Sequence, residues 1–241
     1  MAHTPTSVAN LQINPHRVLR WMLTIIGSLG IIQIISDWLF FHGYIKSGGA
    51  LQIRERFLLD GEANIPSFYS ALVIFLCSCV FLLLAKAPAA QRWRKHLLGL
   101  WAILLFLSFD EAAMLHEVVD KVTSFVLRNT GLTWPWIIVY VPFALITGVA
   151  YIPFLLNLPR QLAVRFVVAG IVYVIGAAGM DMIEGVFVGR RLAQGLDAVD
   201  PFISFLETVE EMLEMLGMAL MLHTSLNYFK TQAEAAQLEV S

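Results

Sequence analysis

The residues of this 241-residue chain best suited to chemistry are carboxylates that recur at helical spacing. With about 100° between successive side chains on a helix, Asp110, His116, Glu117 and Asp120 fall within an arc of about 120°. Asp181 and Glu184 share a second face. Glu207, Glu210, Glu211 and Glu214 fall within about 100° on a third. The same arithmetic turns Glu111 away from the first stripe. His116 adds a borderline nitrogen donor to a set of oxygen donors, a mixture that suits zinc, iron or manganese better than calcium. The spacing therefore predicts a divalent metal ion as cofactor. Its candidate ligands are Asp110, His116 and Asp120 from the first stripe, Asp181 and Glu184 from the second, and Glu207, Glu210, Glu211 and Glu214 from the third. Glu117 is the candidate catalytic base that would activate a metal-bound water.

Positioning such groups requires helices, and the composition says in what solvent. Hydrophobic residues make up 58% of the chain and charged residues 14%, against roughly a quarter charged in soluble domains. Most of the chain must sit in lipid. Crossing a hydrocarbon core takes about 20 apolar residues. Six stretches qualify, at about 18–41, 66–85, 97–127, 134–156, 162–188 and 201–229, and they predict an all-α polytopic membrane bundle forming one domain over residues 1–241. Asn64 and Pro66 open the second helix, Pro135 the fourth and Pro201 the sixth. Pro142 and Pro153 interrupt the fourth. The connection 43–65 contains a short segment able to lie at the interface or to re-enter the bundle. Cys77 and Cys79, two apart on a helix, point in different directions and do not pair.

Charge asymmetry orients the bundle. Nine basic residues, with Arg92, Arg94 and Lys95 concentrated in one short loop, fall on the side that also holds both termini, and seven on the other. The positive-inside rule places the termini in the cytoplasm and the protein, as a multi-pass chain, in a cell inner membrane. All but two of the eighteen acids, Glu234 and Glu239, belong to the opposite side or to the helix halves beside it. With no basic arm or Lys/Arg run, nucleic acid is excluded as a partner.

Crowding is the reason to expect a counterion. A carboxylate at a helix centre costs about 2.5–3.5 kcal/mol, and two of them about 4 Å apart repel by roughly 4 kcal/mol at an effective dielectric near 20. A bound cation, protons, Arg190 and Arg191, or water in an open vestibule can each relieve this. Polar residues at helix ends that are simply solvated by headgroups are the plain alternative. The Gln33 and Asp37 pair, one turn apart, reads as an interhelical hydrogen bond. His42, His96 and His223 read as interfacial or core histidines.

Two motifs invite comparison with known families. His116-Glu117-Val118-Val119-Asp120 resembles the zincin signature H-E-x-x-H, with Asp120 in place of the second histidine. That resemblance implies His116 and Asp120 as ligands and Glu117 as base. It is also similar to the site-2 intramembrane proteases, although Leu59-Asp60-Gly61 here precedes the histidine. Glu210-Glu211 with Glu214 resembles the E-E-x-x-x-R of CAAX-type proteases, with Met215 where their arginine stands. Asp60-Gly61-Glu62-Ala63-Asn64 resembles the acidic opening of alkaline ceramidases, whose paired histidines are not matched here. Across most of the chain, Leu107-Ser-Phe-Asp-Glu-Ala-Ala-Met-Leu-His-Glu117 and Glu210-Glu-Met-Leu-Glu-Met-Leu-Gly217 resemble uncharacterised bacterial inner-membrane proteins, a likeness that implies no activity.

These readings point first to a metal-dependent membrane hydrolase acting on a lipid-like substrate, with membrane lipid around it and a homo-oligomer as an open alternative to the monomer. A cation or proton-coupled transporter is the second reading. A transporter needs polar residues through to the cytoplasmic half, where the third, fifth and sixth helices are nearly all apolar. A non-catalytic membrane subunit is the third.

Overall fold

A computed structural model of the chain describes residues 13–127 and 136–240, and among them every regular element is helical. The first helix, α1 (Pro15–Phe41), starts where Asn14 accepts the His16 and Arg17 backbone N–H groups and Pro15 supplies a preset φ. A short helix, α2 (Gly49–Phe57), and a loop lead to α3 (Ile65–Lys86). There Asn64 and Ser67 cap each other reciprocally and Pro66 follows, as the sequence predicts. After a 3-10 turn come α4 (Arg94–Ala113) and α5 (Leu115–Leu127).

The expected single helix over 97–127 is therefore two. Met114 adopts a left-handed conformation, φ 54° and ψ 44°, which breaks the backbone ladder between Ala113 and Leu115. The apolar span is Ala90–Ala113, and α5 is too short to cross by itself.

Then follow α6 (Ile137–Leu156), with Pro142 and Pro153 inside it, α7 (Arg160–Val174), a π-helical turn (Ile175–Met180), α8 (Asp181–Ala193) and α9 (Pro201–Val240). Trp134 and Pro135, expected to open the fourth span, lie outside the described residues. Asp200 caps α9 through its carboxylate, which accepts the Phe202 N–H at 2.8 Å. Among the described residues, five helices are long and apolar enough to cross a membrane: Pro15–Phe41, Ile65–Lys86, Ala90–Ala113, Ile138–Leu156 and Arg160–Ala193. The sixth expected span, α9, carries four glutamates in its first half and falls outside that apolar class.

The burial pattern is that of a protein dissolved in lipid. Ile31, Ile34, Phe68, Leu145 and Ile146 face outward, while Gln33, Ser78, Ser108, Thr224 and Ser225 are buried. Apolar side chains cost nothing against lipid tails, and buried polar ones find partners between helices. The Ser108 hydroxyl, for example, donates to the Ala71 carbonyl at 2.8 Å, joining α4 to α3. The long rod α9 lies at the centre, packed by α1, α3, α7 and the π turn. Phe81, Leu84, Leu97 and Leu222 belong to the core between them. Both cysteines are free thiols, as expected.

Candidate functional site

Two local devices aim the acids inward. The π turn inserts extra backbone just before Asp181 and so re-aims Asp181 and Glu184, the kind of interruption often found at functional sites. Beside it, α7 and the π turn approach α9 closely. A Cβ on Gly176 would sit 2.9 Å from the Glu214 backbone nitrogen and 3.0 Å from the Glu210 carbonyl, and one on Gly217 would sit 2.6 Å from the Tyr173 nitrogen. Only glycine permits such an approach. A Cβ on Gly179, by contrast, meets only ordinary contacts.

Inside lies a cavity of about 1230 Å³. All three predicted stripes border it: Asp110, His116, Glu117 and Asp120, then Asp181 and Glu184, then Glu207, Glu210, Glu211 and Glu214. Glu111 borders it too, which corrects the expectation that it points elsewhere. The cavity is wider than one helix stripe, so neighbours about 100° apart can both face it. Asp60 and Glu62 reach it from the loop before α3.

Within the cavity the acids divide into two groups. Asp181, Glu184 and Glu210 each bring one carboxylate oxygen to within 4.8 Å of the others, an arrangement that could hold a metal ion. Asp181 and Glu184 are buried, and the Glu210 Oε2 atom is buried without a hydrogen-bond partner. A buried acceptor left unsatisfied costs about 1–3 kcal/mol, more if charged. Asp60 and Glu214 are electrostatic neighbours of Glu210, and Asp60 and Asp181 of Glu184. On the loop, burial and the adjacent Glu62 push the Asp60 carboxyl up to about 6.

The second group centres on His116. Its Nε2 lies 3.3 Å from Glu62 Oε1 and its Nδ1 3.8 Å from Asp110 Oδ1, while the Tyr140 hydroxyl donates to Asp110 at 3.1 Å. Asp110 and Glu62 hold the imidazole in its charged form, pushing its pKa up to about 10. The structure thus turns both ring nitrogens of His116 to carboxylates other than Asp120. Asp120 instead accepts the Trp136 backbone N–H at 3.4 Å. Glu117 is half exposed and ion-paired with Lys121 at 2.7 Å, which lowers its pKa. The H-E-x-x-D spacing therefore does not converge on one point here. Glu211, Glu214 and Glu111 line the same cavity as electrostatic neighbours, with the half-buried Tyr173 beside them.

Three groups lay beyond the sequence reading. Tyr140 gives no signal on an apolar helix, and Tyr173 none beyond its register with the π turn. Glu62 lies in a loop, where helical spacing says nothing of its pairing with His116. Outside the cavity, Asp37 is a structural knot: it accepts from Gln33 at 2.8 Å, Ser204 at 2.8 Å and Arg54 at 2.6 Å, tying α1 to α2 and α9. His42 stacks on Trp38, and His223 meets His16 at 3.3 Å.

A family model described as a domain of unknown function (DUF8692) matches residues 16–228. No curated protein and no solved structure matches the chain. By the extent of that match, the chain belongs to the DUF8692 family.

Proposed function

We propose that this DUF8692 protein is a metal-dependent membrane hydrolase that acts on a lipid-like substrate, with Asp181, Glu184 and Glu210 as the metal ligands. The observation that carries the reading is the trio itself: three carboxylate oxygens within 4.8 Å, one of them from Glu210, whose Oε2 is buried and unpartnered. An all-oxygen set with His116 engaged elsewhere favours manganese, or another hard divalent ion, over the zinc that a histidine ligand would suit. A divalent ion there would polarise a bound water and make it a nucleophile near neutral pH. Glu214 and Asp60, beside Glu210, are better placed than Glu117 to take the proton from that water, because Lys121 already engages Glu117.

The wall beyond the acids supports a lipid-like substrate and disfavours conduction. Leu104, Phe154, Phe166, Met218 and Met221 continue the cavity as mainly apolar surface, and among the described lining residues no carboxylate or cation continues past the acids for an ion to climb. The basic-loop bias supports an inner-membrane location with cytoplasmic termini.

Elemental analysis of protein purified in detergent tests the site. Stoichiometric manganese, iron or zinc that is lost in Asp181→Asn and Glu210→Gln, and kept in Glu117→Gln, agrees with the assignment. Metal-free protein after incubation with each ion would remove it.

A further inference from the structure

The face of α6 turned to the cavity has an unusual make-up. Positions 140, 144, 147, 148 and 151 form one helical stripe, and they are Tyr140, Ala144, Thr147, Gly148 and Tyr151. All five line the cavity. Small residues on a membrane helix normally let a neighbouring backbone come close. Here the two tyrosines prevent it: the Tyr140 hydroxyl reaches Asp110 at 3.1 Å and the Tyr151 hydroxyl reaches the His96 carbonyl at 2.7 Å, both on α4. They act as struts that hold α6 away from α4 at two levels about 16 Å apart, given a rise of 1.5 Å per residue.

Between the struts nothing in the described chain fills the gap. A Cβ added to Gly148 on α6, or to Gly170 on α7, would meet no atom within 4 Å, and both glycines line the cavity. These glycines contrast with Gly176 and Gly217, which are pressed against backbone. Protein interiors are close-packed, so a space of about 1230 Å³ is far beyond packing error. It also exceeds the roughly 300–1,000 Å³ of sites for drug-sized ligands. Its long side is the apolar, outward-facing α6, which touches α7 only sparsely and is otherwise open along its length. The opposite approach is covered: the loop 58–64 is fixed by the Leu59 N–H on Gln33 Oε1 at 2.9 Å and by Asn64 Nδ2 on the Leu58 carbonyl at 2.7 Å.

The polar end of the cavity specifies a head group. Its described cationic side chains are Lys121, engaged by Glu117, and His116, engaged by Glu62 and Asp110. Even with a divalent ion on Asp181, Glu184 and Glu210, the remaining carboxylates outnumber these cations, so an anionic phosphate would meet net negative charge. Hydroxyl or amine donors would find acceptors everywhere.

We propose that the cavity takes one membrane lipid sideways from the bilayer, its hydrocarbon chain lying between α6 and α4 along Ala144, Thr147 and Gly148. Its head group carries hydroxyl or amine donors and no phosphate. This names the substrate class of the hydrolase reading and rests on it, but the seat can be tested without turnover.

The probes are three photoactivatable diazirine lipids with the same alkyl chain, ending in a primary amine, a hydroxyl or a phosphate. Each is irradiated with the protein in detergent and the labelled peptides are located by mass spectrometry. The amine and alcohol probes should label residues 143–151, with the phosphate probe lower by about tenfold or more, as a 1.4 kcal/mol preference implies. Gly148→Trp and, from the opposite wall, Gly170→Trp should each cut labelling by a similar factor. Gly27→Trp, on α1 with equally open space, should not. Equal labelling by the phosphate probe overturns the head-group assignment. Undiminished labelling in both cavity variants, with melting temperature unchanged, overturns the seat. Metal content measured on the same samples separates the two readings: labelling with no metal leaves the lipid seat standing and removes the hydrolase, and metal without labelling does the reverse.

Discussion

On the α2 side of the cavity, Asp37 accepts three side-chain hydrogen bonds, Gln33 ties Leu59, and Asn64 ties Leu58 while capping α3. On the α6 side, the side-chain bonds from the helix to α4 among the described residues are two tyrosine hydroxyls, one at each end of a run of small residues. Both sides enclose the same acids. The first is built so that it cannot yield, because each partner removed strands a buried polar group in a medium without water. The second can lose a bond and keep its fold, because lipid replaces what α6 gives up at no cost. A membrane protein thus concentrates its polar partners where a wall must stay closed and omits them where a wall must part.

The largest test of that contrast is Asp37→Ala. It leaves the Arg54 guanidinium, largely buried over the Phe40 ring, without its carboxylate, and removes the acceptor of Gln33 and Ser204. Breaking a buried pair from one side costs about 3–5 kcal/mol. Unfolding in detergent should show a loss of that size, with the loop 58–64 opened to protease. If Asp37→Ala unfolds like the parent protein, the α2 side is not the fixed wall.

Next is Gly217→Ala, which sharpens the comparison by moving the wall at the acids. Its methyl group would meet the Tyr173 backbone at 2.6–2.7 Å, and backbone cannot rotate aside. Overpacking of this kind costs about 1–3 kcal/mol. Because the same crossing carries Glu210 against the π turn, bound metal should fall along with stability. Gly148→Ala, whose Cβ meets open space, should change neither.

How far the sequence disclosed this follows from what its periodicities encode. Helical spacing is a property of one segment, so it marks the five apolar spans and puts Asp110, Asp181 and Glu210 on inward faces. Met114 defeated it, because a left-handed break at a methionine carries no residue signature of the kind glycine would give. Glu111 defeated it because a stripe assumes a neighbour as narrow as a helix, and the neighbour is a cavity. The ligand set within the stripes was illegible for a further reason: whether Glu210 or His116 joins Asp181 depends on how helices sit against each other, which Gly176, Gly217 and the π turn decide jointly. His116 looked like a metal ligand because H-E-x-x-D is a pattern within one helix, whereas its actual partners come from the α2–α3 loop and the end of α4.

That placement of His116 gives a smaller, pH-dependent effect at the junction between the two walls. Its pKa is raised from 6.5 to about 10 by Asp110 and Glu62, with Glu111 and Tyr140 also close. A cation favoured by the fold stabilises fully below the unfolded value and ceases to do so as pH rises through the folded one. Stability should therefore decline between about pH 6.5 and pH 10. With the side chain about one-third exposed, solvent screening holds the effect to about 1 kcal/mol. His116→Gln should flatten that part of the profile. An unchanged slope in the variant would mean that another group sets it.

The smallest expected effect bears most directly on the contrast. Tyr140→Phe removes one hydroxyl from the α6 side, and a bond to a charged acceptor contributes about 1.5–3 kcal/mol when fully buried and less at the half-exposed Tyr140. Global unfolding should hardly register it, because Phe81, Leu84 and Leu222 hold α3 and α9 together regardless. Amide exchange reads local opening and should register it clearly. Residues 137–148 of α6 should exchange several-fold faster in Tyr140→Phe, and the Ala144 to Gly148 stretch should become more accessible to a lipid-soluble probe, while α1 and α3 keep their protection. Tyr151→Phe should loosen the other end less, because Trp93, His96 and Phe154 still pack around it. If both substitutions loosen α1 and α3 as much as α6, the two walls are mechanically one, and the tyrosines are ordinary packing residues and not struts that fix α6 beside the cavity.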